Sequence, residues 1–70
     1  MIPLTMVDPG EEQIIKRIGG NEEIRHHLGN LGFCVGGAVT VINTLAGSVI
    51  VNIKESRVAI GKDMAMKIMV

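Results

Sequence analysis

Residues 28–37 read Leu-Gly-Asn-Leu-Gly-Phe-Cys-Val-Gly-Gly, and the chain beyond them is built of short alternating apolar segments. A residue without a Cβ enters the left-handed region at little cost, so Gly32 is placed to stop a helix and send the chain back as a strand. This predicts one helix packed on a small, mainly β barrel. Small barrels of this kind bind more often than they catalyse.

Seventy residues allow one domain, 1–70, with a modest core. A chain this short buries only about 60% of its unfolded surface, so the apolar pattern must be nearly complete if no staple is present. Cys34 is the single cysteine, which excludes an internal disulfide and fits a reducing compartment. Residues 1–7 are apolar, but no basic residue precedes them and Pro3 interrupts them, so they do not read as an export signal. A cytoplasmic location is expected. No apolar run reaches the roughly 18 residues of a membrane helix, so no bilayer span is expected.

Seven basic and seven acidic residues give a formal net charge of +0 and are scattered along the chain. Nucleic-acid binding draws its affinity from clustered Lys and Arg, so that class of partner is disfavoured. Phe33 is the only aromatic residue, whereas single-strand binders present several rings for stacking. A hydrophobic content of 47% is therefore assigned to a core and a protein-binding patch.

Pro9 and Gly10 suit a tight turn, and residues 12–18 read as a first strand ended by Gly19 and Gly20. Asn21 is the expected N-cap of a helix over about 22–31, with Glu22 and Glu23 at the positive end of its dipole. Ile24, Leu28 and Leu31 recur at spacings of four and three, so they form one stripe facing the barrel. Gly36 and Gly37 make the corner into the next strand. Phe33 is expected to cover one end of the barrel and is also a candidate partner contact.

Val39 and Val41 alternate with Thr40, and Val49, Val51 and Ile53 alternate with Ile50 and Asn52, which predicts two strands of a hairpin. Keeping both valine faces inside sets Val41 opposite Val51 and Val39 opposite Ile53. Leu45, Ala46 and Gly47 then form a three-residue loop with Gly47 left-handed. The same register sets Ile42 opposite Ile50 on the outer face, as a candidate partner-binding pair. Beyond a turn at residues 54–56, residues 57–60 are a fourth strand and 61–65 a short helical turn. Met66, Ile68 and Val70 make a last alternating strand.

Residues that could carry chemistry are few. His26 and His27 are adjacent, so on a helix they diverge by about 100°, whereas helical chelating pairs sit four apart. Cys34 could approach His27 around the helix end, but two ligands fall short of the four of a closed site. No metal site and no cofactor are expected. There is no phosphate loop ending in Lys and Ser or Thr, and neither Ser48 nor Ser56 lies near a His in sequence, so an enzyme is not expected.

The order of these features resembles the FeoA family of ferrous-iron transport accessory proteins. The Pro9 and Gly10 turn, Ile15 and Ile18 before Gly19 and Gly20, and the helix ending at residues 28–32 carry the resemblance. Gly36, the valine hairpin and Ile60, Ala65, Ile68 and Val70 extend it over nearly the whole chain. It implies an SH3-like barrel of about five strands with one inserted helix. It also implies action with FeoB, the membrane transporter whose cytoplasmic part is a GTPase. His27 stands where the family usually has Arg, Val35 where it usually has Pro, and the hairpin loop is short. A second family resemblance is to the C-terminal SH3-like domain of iron-dependent repressors, whose winged helix and dimerisation domain have no counterpart in this sequence.

Overall fold

Asn21 starts the helix by the expected mechanism. In the computed structural model, which describes residues 1–70, its side-chain oxygen accepts from the Ile24 N–H at 2.9 Å. The helix α1 runs over Glu22–Asn30, with Glu22 and Glu23 in its first turn. At its other end Gly32 takes φ +108°. The Phe33 N–H then donates to the Leu28 carbonyl at 3.0 Å and the Gly32 N–H to the Gly29 carbonyl at 3.0 Å, the paired bonds of a Schellman cap. Such caps join the residues at both ends of the longer bond by an apolar contact, and Leu28 and Phe33 are both buried in the core.

The remaining elements are β1 Glu12–Ile14, β2 Arg17–Ile18, β3 Ala38–Leu45, β4 Ser48–Ile53, β5 Ser56–Gly61, the short helix α2 Lys62–Ala65, and β6 Ile68–Met69, with a 3-10 turn at Leu4–Met6. One antiparallel sheet has the order β1-β3-β4-β5, and β2 pairs with β6 in a second. The fold is the expected mainly β barrel with an inserted helix, with six strands in place of five. Thirteen residues form its core, and none is polar or charged.

Residues 12–18 are not one strand. Ile15 exchanges hydrogen bonds with the segment before β3, its N–H donating to the Gly37 carbonyl at 2.9 Å and its carbonyl accepting from Gly36 at 2.7 Å. The next residue, Lys16, instead donates to the Met69 carbonyl at 2.8 Å. Between Ile15 and Lys16 the chain therefore passes from one sheet to the other and turns a corner of the barrel. Ile15 and Ile18 both pack into the core although they are three apart, which a regular strand with period two cannot achieve.

The N-terminal segment closes the barrel beside β6. Ile2 and Val70 exchange two backbone hydrogen bonds, of 2.9 and 2.8 Å, and Pro3 is bridged to Met69. This seats Leu4 in the core, fully buried. The alternation expected at Met66, Ile68 and Val70 holds for Ile68 and Val70 only. Met66 caps α2 and is 58% exposed.

In the hairpin Val41 pairs with Val51 and Val39 with Ile53, as both apolar faces require. The loop differs from expectation. Leu45 pairs with Ser48, so only Ala46 and Gly47 turn the chain, with φ values of 50° and 83°. Two successive positive φ values are those of the type I′ turn, whose twist matches that of the strands it joins. The residue freed by the shorter loop is absorbed by a β-bulge between Val41 and Asn43, so two residues face one on the partner strand. Gly47→Val should destabilise the protein by at least about 1 kcal/mol, because a β-branched residue tolerates positive φ poorly. A Cβ there would meet nothing within 4 Å, so the loss is of backbone origin. An unchanged midpoint in urea would contradict it.

Candidate functional site

The pleat gives the larger sheet one face turned to the core and one turned away. Val39, Val41, Val49, Val51, Ile53 and Ile60 lie on the inner face and are buried. On the outer face Glu12 pairs with Thr40, Thr40 with Asn52, and Asn52 with Arg57. These four side chains cross the sheet in one row, with an acid on edge strand β1 and a base on edge strand β5. On one side of this row Ile50 pairs with Ala59 and faces the bulge formed by Ile42 and Asn43. On the other side Ile14 pairs with Ala38.

The outer face is apolar for an uncovered surface. Ile14 is 48% and Leu45 62% exposed. Ile42 and Ile50 are half-buried, yet neither belongs to the core nor to the partly buried residues packed on it. Their relation is not the direct pairing read from the sequence, because the bulge sets Asn43 opposite Ile50 and moves Ile42 into the irregular position. They nevertheless remain neighbours on one face, since the two residues of a bulge confront the same partner residue.

Phe33 does not belong to this surface. It is 1% exposed and offers nothing for a partner to touch, because the Schellman cap folds it under the end of α1. Of the residues read as structural, Leu28 is buried and Leu31 half-buried against the core. Gly32, Gly36 and Gly47 all have positive φ. His26, His27 and Cys34 are exposed, and no three His, Cys, Asp or Glu side chains are grouped to hold an ion. No helix is long and apolar enough to cross a membrane.

Two contributors to the face were not singled out in the sequence. Ile14 precedes the buried Ile15, and a strand cannot turn two successive residues inward, so one of the pair had to face out. A three-residue loop contains Leu45, so the sequence pattern does not show that it pairs with Ser48 on the outer face. The Glu12 to Arg57 row carries no local signal at all, because it is assembled from four strands.

The model of the FeoA domain matches residues 2–70. The chain belongs to the FeoA family. A candidate Fe(2+) transport protein A of Methanocaldococcus jannaschii is 40% identical over 70 residues, which is 100% of this chain and 85% of that protein. A crystal structure of an iron uptake regulatory protein, FeoA, superposes with a TM-score of 0.87 at 30% identity, over 96% of this chain and 89% of that one. A manganese-dependent transcriptional repressor contains the same fold, with a TM-score of 0.85 at 20% identity over 94% of this chain and 38% of the repressor. That likeness shows the SH3-like architecture alone. Membership places this FeoA protein among ferrous-iron transport proteins, an accessory family.

Proposed function

We propose that this FeoA protein is a cytoplasmic accessory of the ferrous-iron transport system, without enzymatic activity of its own, and that it acts by docking on the cytoplasmic part of a FeoB-type membrane GTPase transporter. The observation that supports this reading is the outer face of the larger sheet, where Ile42 and Ile50 are neighbours, Leu45 lies toward the hairpin end and Ile14 lies across the Glu12–Arg57 row, and none of the four belongs to the core or to the residues packed on it. A face with apolar residues on both sides of a polar row that ends in single charges has the mixed composition of protein-binding surfaces. The family membership supplies the system in which the partner is sought.

Changing Ile42 and Ile50 together to Thr tests the reading. Threonine keeps β propensity, so the fold should persist while the face loses apolar area. Isothermal titration with the purified cytoplasmic domain of the transporter should show binding weakened about tenfold or more, as truncation of central apolar contacts typically costs over 1 kcal/mol. Changing His26, His27 and Cys34 together to Ala should leave binding within about twofold of the native protein. Loss of binding in the triple variant with retention in the double variant would reject the docking surface.

A further inference from the structure

Glu12 and Arg57 lie at the two ends of one cross-strand row and cannot meet within a single chain. They are separated by two intervening strands, or three inter-strand spacings, which is about 14 Å. Both are exposed. The face between them is apolar on either side of the row, through Ile14 and Ala38 on one side and Ile42, Ile50 and Ala59 on the other. Any occupant that matches this face must bring polar groups over Thr40 and Asn52, apolar surface beside them, a base over Glu12 and an acid over Arg57, at the same separation.

The face itself, rotated, meets that requirement. A two-fold axis lying between two such faces and parallel to their strands carries edge strand β1 of one copy over edge strand β5 of the other. Glu12 of each copy then faces Arg57 of the second copy, Thr40 faces Asn52, the row of Ile42 with Asn43, Ile50 and Ala59 lies over its own counterpart, and Ile14 and Ala38 lie over the turn at Lys54 and Glu55. Closed two-fold interfaces are self-complementary in just this sense, and sheets stacked face to face keep their strands within about 30° of parallel. We propose that this FeoA protein self-associates through the outer face of its larger sheet, as a two-fold dimer closed at both ends by Glu12–Arg57 ion pairs between copies. The proposal goes beyond docking on the transporter, since it names what covers the face when the transporter does not.

Four short strands make a small face beside the roughly 800 Å² that each partner buries in a standard interface, so the dimer is weak and concentration-dependent. Charge pairs at the rim make it weaker in salt. Sedimentation equilibrium of the full chain, from about 10 μM to about 1 mM, reads this directly. The weight-average mass should rise toward twice that of the monomer, and at high salt the rise should move to higher concentration. Glu12→Arg alone, and Arg57→Glu alone, should each weaken association by about tenfold or more, because each swap turns both attractive contacts of the symmetric dimer into repulsive ones.

The double variant Glu12→Arg with Arg57→Glu should return to within about threefold of the native dimer. Both side chains are exposed, and near-native mass and circular dichroism in the double variant show that the fold is retained. If a single swap unfolds the chain, Glu12→Gln and Arg57→Gln replace it, each with an expected weakening of about threefold. A chain that stays monomeric across the whole range, or a double swap no better than the single ones, overturns the proposal. Either result leaves the titration with the transporter domain to stand or fall separately. Restored self-association together with unrestored transporter binding would show that the two partners share the face by different contacts.

Discussion

Leu28→Ala is expected to lower the free energy of unfolding by about 2–5 kcal/mol, measured as the shift of the urea midpoint at constant slope. Leu28 is fully buried, and its carbonyl also accepts the Phe33 N–H that closes the helix cap. Removing the side chain leaves a cavity between α1 and the barrel, at the point where the helix holds Phe33 in the core. Domains of this size have total stabilities near the low end of 5–15 kcal/mol, so the loss is a large part of the whole. Because Leu28 and Phe33 share one cap and one core, Leu28→Ala and Phe33→Ala should not add in the double variant. An unchanged midpoint for Leu28→Ala would mean that α1 is not anchored by this residue.

Leu4→Ala should cost a similar amount, about 2–5 kcal/mol, although it lies in a segment whose composition alone suggests nothing structural. Leu4 is fully buried beside β6, held there by the exchange of hydrogen bonds between Ile2 and Val70. Native-state hydrogen exchange gives a second check. The amides of Ile2 and Val70 should be protected to nearly the same extent as those of β4 and should lose that protection together in the variant. Rapid exchange at Ile2 and Val70 in the native protein would show that the N-terminal segment is an ornament and not part of the barrel.

The outer face is the part of the molecule least visible before folding. Ile42 and Ile50 could be assigned to the outside of a hairpin because a period-two pattern admits only two faces. What could not be assigned was the bulge between them, since its position follows from which loop closes the hairpin. Ala46 and Gly47 suffice for that turn, and the displaced residue has to be absorbed elsewhere along the strand. Phe33 shows the reverse error. As the only aromatic residue beside a run of glycines it invites a surface role, but the cap geometry that Gly32 permits folds it inward.

By itself the sequence determined the helix and both of its ends, the pairing of Val39 and Val41 with Ile53 and Val51, the left-handed Gly32 and Gly47, and the family. These are carried by patterns that short stretches of sequence display: a side chain able to bond a backbone amide three positions on, a missing Cβ, a hydrophobic alternation that keeps one face dry. Only the tertiary structure decided that Ile15 and Lys16 turn a corner between two sheets, that residues 2–4 close the barrel, and that Glu12 and Arg57 end one row across four strands. Each of those features joins segments distant along the chain. Their geometry is set by which apolar surfaces can be buried at once, a condition that no local stretch of residues carries.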